Sequence, residues 1–286
     1  MKRYQSSTTA QGMALVRAVE WSKPEAVRIC SDPLARSLVS DFSYRMSKLM
    51  IDSGLYGRMS KGVLEFITAR DRYIDDFLKA GLAEGLDQVV LLGAGFDTRP
   101  YRIPGIGQTR VFEVDHPATQ QVKQQRLKRA VNPLPGHVTF VPVDFNTQTL
   151  AERLPASGYN EGGKTLFIWQ GVTMYLSPEA VDRTLAFIAG RSAPGSLLIF
   201  DYFTDELLHS AYIQRVQRLM RMIGEALTFG IDQRLIGQFL GQRGFCDIHS
   251  ADADELTRRY FTGANAGRAV RKGAEIASAR VATPAS

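Results

Sequence analysis

The chain reads as an α/β protein: a seven-stranded, mostly parallel sheet with an antiparallel final strand, accompanied by an α-helical lid. From Gln88 onward, strand-like and helix-like stretches alternate, the pattern of right-handed βαβ crossovers. Val89 to Leu92 are apolar without a break, as suits a strand buried on both faces. Two further strand-like stretches, Phe245 to His249 and Glu275 to Val281, close the chain as an antiparallel pair.

Residues 8–20 place Ala10, Met13, Ala14, Val16 and Val19 at helical spacing, with Thr8 or Thr9 available as a cap. Ser31-Asp32-Pro33 interrupts the chain and can open a helix at Pro33. Within 34–55, Met46, Leu49, Met50 and Ile51 follow a partly helical pattern. Residues 1–60 therefore read as an N-terminal helical lid, ahead of an α/β domain over 61–286. The helix over 60–80 carries Val63, Phe66, Ile67, Ile74, Phe77 and Leu78 on one stripe, with Gly81 as its stop. Strands follow at 88–92, 110–114, 138–143, 165–169 and 196–202. Asn160-Glu161-Gly162-Gly163 makes the loop before the fourth, and Ser177-Pro178-Glu179 opens the helix after it. A helix over 206–224 has Leu207, Leu208, Tyr212, Val216, Leu219 and Ile223 on one side. Arg215, Arg218 and Arg221 lie on another, and the segment reads as a lid insertion at about 205–227. A further helix runs from Phe229-Gly230-Ile231-Asp232 to about Gly241.

At 286 residues, 44% hydrophobic and 22% charged, the chain has ample material for a core. No apolar run approaches the ~20 residues of a membrane span. The two basic residues near the start, Lys2 and Arg3, have no apolar stretch behind them, so no secretory signal is read and a cytoplasmic protein is expected. The net charge of +6 is spread among 29 acidic residues. The densest basic cluster, Lys123, Arg126, Lys128 and Arg129, reads as a solvated helix face, and no nucleic-acid partner is expected. Cys30 and Cys246 lie far apart with no neighbouring ligands, so they are expected to be two buried thiols and no metal site is predicted.

The functional site is expected just past Leu92, where Gly93-Ala94-Gly95 lets the chain turn sharply and a ligand approach the backbone. A dinucleotide fingerprint wants a third glycine three residues after Gly95, where Thr98 stands. Asp97 adds a carboxylate that repels phosphate and suits a cationic ligand. S-adenosylmethionine, with a sulfonium and an ammonium, is such a ligand, and Arg99 or Arg102 can take its carboxylate in a bidentate grip. Glu113 and Asp115 both lie about 20 residues past Gly93, the usual offset of a ribose-binding acid. Asp144 and Phe145 follow the third strand. Asp201 and Tyr202 end the fifth, at the carboxyl edge where open α/β sheets place ligands.

The string Leu91-Leu92-Gly93-Ala94-Gly95-Phe96-Asp97-Thr98-Arg99 is followed about a dozen residues later by Phe112-Glu113-Val114-Asp115-His116-Pro117. Together they resemble the leucine carboxyl methyltransferase family of S-adenosylmethionine-dependent enzymes, and in particular its bacterial members. The resemblance extends from Thr8 to about Val281, loosely over the first 60 residues. It implies the Rossmann-like fold of class I methyltransferases. It also implies that an arginine on the helix before the glycine loop grips the cofactor carboxylate, which by its distance from Gly93 is Arg70. It favours Asp115 over Glu113 for the ribose, with His116 beside it, and gives the adenine to Asp144 and Phe145. Near the cofactor's methionine end the family has a glutamate where this chain has Gln170, which can accept a hydrogen bond from an ammonium but brings no charge. Met174-Tyr175-Leu176 before Ser177-Pro178-Glu179 also matches.

Methyl transfer from a sulfonium is an in-line displacement, so the protein must align donor and nucleophile and exclude water. A carboxylate acceptor is already ionised; a phenol, with a pKa near ~10, gains from a base. Among His116, His137, His209 and His249, His209 is the best-placed base because the start of the lid insertion should lie near the substrate. Tyr175 and Tyr202 are the other candidates at the reacting centre. The expected function is S-adenosylmethionine-dependent O-methylation of a carboxylate or hydroxyl on a small molecule, with a protein C-terminal carboxylate as a variant. A nicotinamide-dependent oxidoreductase competes, opposed by Thr98 and the final antiparallel pair. A cofactor-binding protein without turnover is kept open by Gln170.

Overall fold

The computed structural model describes residues 8–144, 147–215, 217 and 226–283. Its centre is one sheet of β1 (Gln88–Leu92), β2 (Arg110–Asp115), β3 (Val138–Pro142), β4 (Thr165–Trp169), β5 (Leu197–Phe203), β6 (Phe245–Ala251) and β7 (Ala274–Val281). The order across the sheet is β3-β2-β1-β4-β5-β7-β6. Strands β1 to β5 are parallel, and β7 runs antiparallel to both β5 and β6. All seven strands fall where the apolar runs predict them.

The helices are α1 (Thr8–Trp21), α2 (Asp41–Asp52), α3 (Leu55–Met59), α4 (Val63–Ala83), α5 (Arg99–Arg102), α6 (Pro117–Leu127), α7 (Leu150–Ala156), α8 (Pro178–Gly190) and α9 (Asp205–Leu208). Two more, Ile236–Gly241 and Ala253–Tyr260, flank β6. Because successive strand residues face opposite sides, the sheet sorts its side chains into two cores. Val89, Leu91, Val111, Ile168 and Ile199 pack under α4, while Val90, Leu92, Phe112, Trp169 and Phe200 pack under α7 and α8. A third cluster joins α1 to the glycine loop through Ala14, Ala18, Leu38 and Phe96.

Several expectations need correction. Gly81 does not stop α4, which runs on to Ala83. A Cβ at Gly81 would approach Leu86 Cδ1 to 2.9 Å, so glycine there serves close packing of helix on sheet. Asp32 opens only a short turn, its Oδ1 accepting the N–H groups of Leu34 and Ala35 at 3.1 and 2.9 Å, and the full helix waits for the Ser40 cap. The helix expected over 206–224 is interrupted after Leu208. Ser210 then caps a second stretch by accepting the Ile213 N–H at 3.3 Å. Val216, Leu219 and Ile223, with Arg218 and Arg221, lie outside the described residues. Cys30 is buried, but Cys246 is exposed because it sits on the edge strand β6. Lys123 is not on a solvated face: it is buried, with Nζ 2.7 Å from Glu113 Oε2. Among the described residues, no helix is long and apolar enough to cross a membrane.

Candidate active site

A cavity of about 660 Å³ lies at the carboxyl ends of the central strands, bounded by the glycine loop, α1, α4 and the segment after β5. Gly93, Ala94, Gly95 and Asp97 all line it. Gly93 has φ +68°, and a Cβ there would lie 2.5 Å from Val172 Cγ2, so both the turn and the close approach of the β4 loop require glycine. The N–H groups of Gly93 and Ala94 donate to Val114 O at 2.9 and 3.0 Å, tying the loop to the end of β2.

Asp115 lines the same cavity. Its carboxylate accepts the N–H of Gly95 and, at 2.6 Å, that of His116. Burial raises its pKa, and those two amides oppose the shift only in part. Glu113 is buried away from the cavity, between Lys123 Nζ at 2.7 Å and Tyr101 Oη at 2.9 Å. Of the two acids left open by spacing, only Asp115 lines the cavity. His116 also lines it, with Nδ1 accepting the Ala118 N–H at 3.2 Å to cap α6.

Three arginines of this region are told apart by their partners. Arg99 does not line the cavity. Its guanidinium donates to Asp75 at 2.7 Å, Asp97 at 2.5 Å, Gln170 at 2.8 Å and Asp71 at 3.2 Å. It is therefore an internal hub and has no donor to offer a ligand. Arg102 likewise spends its donors on Asp75 and Thr98. Arg70 differs. It lines the cavity and donates from Nη1 to Asp201 Oδ2 at 2.5 Å. Its Nη2 meets only the Met13 sulfur at 3.5 Å, and its buried Nε has no partner among the described residues. Nε is sealed away from the cavity, so Nη2 is the nitrogen left to an incoming carboxylate.

Gln170 lines the cavity, but both ends of its amide are engaged: Oε1 accepts from Arg99 at 2.8 Å and Nε2 donates to Asp71 at 2.9 Å. Asp97 has its pKa held down to about 2; burial works the other way, but Arg99, Lys123 and Arg17 outweigh it. Tyr175 reaches the cavity wall. Tyr202 does not: it projects into the opposite core, its hydroxyl 2.8 Å from Glu275 and 3.0 Å from Ser250. Strand alternation is the reason, because the preceding residue, Asp201, takes the cavity side and holds Arg70. His209 also stays outside, exposed, with Nδ1 turned to Asp205 O at 2.7 Å. Asp144 is not among the cavity residues, and Phe145 lies outside the described residues.

The sequence reading passed over Arg17, Met13, Tyr212 and Arg271 as site residues, and all four line the cavity. Arg17 donates to Asp32 at 2.8 Å and to Phe96 O at 2.6 Å, pinning α1 onto the glycine loop. A signal existed, since an arginine four residues after Met13 falls on the apolar stripe of α1.

The sheet order, the glycine turn after β1, the acid after β2 and the apolar far end of the cavity define a Rossmann-like methyltransferase. Leucine carboxyl methyltransferases match this chain over residues 10–189, and the chain belongs to that family. YktD of Bacillus subtilis (strain 168), provisionally named an S-adenosyl-L-methionine-dependent methyltransferase, is 30% identical over 92% of this chain and 93% of its own length. SCO7813 of Streptomyces coelicolor carries the same provisional name and is 34% identical, with 66% of each chain covered. A crystal structure of a Thermobifida fusca protein, provisionally called a methyltransferase, superposes with a TM-score of 0.58 over 94% of each chain at 14% identity, which supports the fold. The protein is an S-adenosyl-L-methionine-dependent methyltransferase.

Proposed function

We propose that the enzyme is an O-methyltransferase whose acceptor is a small molecule, with a carboxylate oxygen as the first choice and a hydroxyl as the second. Arg70 carries the cofactor part of this reading: it is a cavity guanidinium whose Nη2 meets only the Met13 sulfur among the described residues, and it lies near Gly171, where the cofactor's methionine end belongs. Asp115 takes the ribose hydroxyls, and the glycine loop lets the adenosine lie against the backbone. The N-terminal helices and the segment after β5 form the lid, with Met13, Leu207, Tyr212 and Leu227 bounding the cavity.

S-adenosyl-L-methionine, when bound, would supply an electrophilic methyl group, to whose carbon the acceptor oxygen bonds as the carbon–sulfur bond breaks and the thioether leaves. The chain's own task is positioning and exclusion of water, which the apolar walls Phe66, Ile67, Phe203 and Ile213 serve. Among the described residues lining the cavity the one histidine is His116, whose Nδ1 is engaged in capping α6. An acceptor that is ionised unaided suits such a wall better than one needing a base, which favours a carboxylate.

Calorimetric titration with S-adenosylmethionine, S-adenosylhomocysteine and NAD tests the cofactor assignment, with binding of the first two and none of the third expected. Transfer of labelled methyl groups to a panel of carboxylic acids and phenols tests the acceptor. Label released by mild alkali marks a methyl ester, whereas alkali-stable label on oxygen marks an ether. Label on nitrogen or carbon alone would overturn the O-methyl assignment.

A further inference from the structure

We propose that Arg271 is an anion anchor for the methyl acceptor, which is accordingly an elongated apolar molecule carrying a negative group remote from the oxygen that receives the methyl. The inference rests on the reading of the cavity as a cofactor end and an acceptor end. Arg271 lines the cavity and stacks its guanidinium on Tyr212, with Cζ 3.6 Å from the ring centroid. Stacking on an aromatic face fixes the plane of the guanidinium and leaves the N–H groups at its edge free to bind an anion. The other two cavity arginines each already hold a carboxylate of the protein, Arg17 that of Asp32 and Arg70, through Nη1, that of Asp201. Arg271 has no carboxylate partner among the described residues. Its neighbour Lys272, by contrast, pairs with Asp254 at 3.1 Å.

The position of Arg271 separates it from the cofactor. Its backbone N–H donates to Gly62 O at 3.0 Å, at the start of α4. Arg70, assigned to the cofactor carboxylate, lies eight residues further along the same helix. At 1.5 Å per residue the two attachment points are about 12 Å apart. Between them the wall is apolar, contributed by Val63, Phe66 and Ile67. A cationic group at each end of an apolar channel fits two ligands placed end to end, the cofactor's carboxylate on Arg70 and the acceptor's anion on Arg271. A guanidinium closed around the reacting oxygen would withdraw its electron density, so the anchored group is the one that does not react. The acceptor class is then a hydroxy acid or a dicarboxylic acid with an apolar body.

The test uses the full-length protein saturated with S-adenosylhomocysteine, titrated with 3-(4-hydroxyphenyl)propanoate and with its primary amide. Wild type should bind the acid at least about tenfold tighter than the amide, the worth of one charge-assisted pair. Arg271→Met should bring acid and amide within about twofold while leaving S-adenosylhomocysteine affinity unchanged, and Arg271→Lys should restore part of the preference. Equal affinity for acid and amide in wild type, including no detectable binding of either, overturns the anchor. So does a preference that survives in Arg271→Met. S-adenosylhomocysteine binding in the same titrations reports separately on the cofactor assignment, so the two readings can fail independently.

Discussion

Removing Arg70 should weaken cofactor binding far more than removing its neighbour Arg72, by an amount that can be worked from the two environments. Arg70 is 4% exposed; Asp201 holds its Nη1, its Nε is sealed away from the cavity, and its Nη2 meets only the Met13 sulfur among the described residues. A ligand carboxylate reaching Nη2 gains one charge-assisted hydrogen bond, worth roughly 1.5 to 3 kcal/mol, or about 10- to 100-fold in Kd. Arg72 is 45% exposed at the side chain and pairs with Asp76 at 3.0 Å, so Arg72→Ala should leave Kd within about twofold. Arg70→Ala has a second consequence: it strips the fully buried Asp201 of its ionic partner, at a cost to folding of about 3 to 5 kcal/mol. Arg70→Lys separates the two effects, since an ammonium keeps a charge beside Asp201 but loses the planar fork, and about tenfold weaker binding is expected. Calorimetry with S-adenosylhomocysteine gives the affinities, and thermal unfolding without ligand gives the stabilities. An unchanged Kd in folded Arg70→Lys and Arg70→Ala proteins would refute the clamp, as would Arg72→Ala weakening binding equally.

Asp115→Asn should weaken S-adenosylhomocysteine binding by roughly 1.5 to 3 kcal/mol, because ribose hydroxyls bond more strongly to a carboxylate. Since burial raises the pKa of Asp115, wild-type affinity should fall as pH descends into that raised range. The asparagine variant should lack this step; calorimetry at several pH values checks both points. Asp97, held down to about 2, contributes stability that is fully present above the unfolded carboxylate pKa and disappears as pH falls toward the folded value. Asp97→Asn should therefore cost about 2 kcal/mol at pH 7, with the deficit closing between ~4 and ~2 in denaturant melts. Tyr202→Phe should cost about 1 to 3 kcal/mol by leaving Glu275 short of a donor, with S-adenosylhomocysteine affinity unchanged; a tenfold loss of affinity would return Tyr202 to the site.

The central strands were legible because strands buried on both faces must be nearly continuous in apolar residues, and Val89 to Leu92 or Leu166 to Trp169 can scarcely be read otherwise. That same uniformity hides which residues face which core. Leu198, Phe200 and Tyr202 differ from Ile199, Asp201 and Phe203 in parity alone, and nothing in the sequence says that Asp201 is the one on the side of Arg70. The glycine loop was legible because its turn is set locally, whereas spacing alone left Glu113 and Asp115 equal, and the fold separates them by burying Glu113 against Lys123 while Asp115 lines the cavity. The arginine assignments depend on partners far away in sequence: Arg99 is consumed by Asp71 and Asp75 from α4, and no local pattern announces that pairing. His209 sits in the expected segment, but the break before Ser210 turns its ring back onto Asp205 O.

Gln170 can be understood from the charges around it. Asp32, Asp71, Asp75, Asp97 and Asp201 are matched by Arg17, Arg70, Arg99 and Arg102, five carboxylates against four guanidiniums. This set therefore carries one excess negative charge beside the cavity, favourable to a sulfonium and an ammonium. The glutamate expected at position 170 from the family resemblance would add a second. It would also deprive Asp71 of a donor, because Gln170 Nε2 is what bonds Asp71 Oδ1, while Oδ2 has no partner among the described residues. Burial opposes the ionisation of Asp71, but Arg17, Arg99 and Arg70 outweigh it and hold its pKa below the usual value. Asp71 is thus an ionised carboxylate hydrogen-bonded to the amide at position 170. Gln170→Glu should accordingly destabilise the protein at pH 8 by about 1 to 3 kcal/mol. The two adjacent acids would titrate above their unfolded pKa values, so the deficit should shrink as pH falls through that raised range. Moving the charge instead of adding one, in the double variant Asp71→Asn with Gln170→Glu, should recover stability to within about 1 kcal/mol and keep S-adenosylhomocysteine affinity within about threefold. A Gln170→Glu protein as stable as wild type at pH 8 would show that Asp71 does not carry this charge.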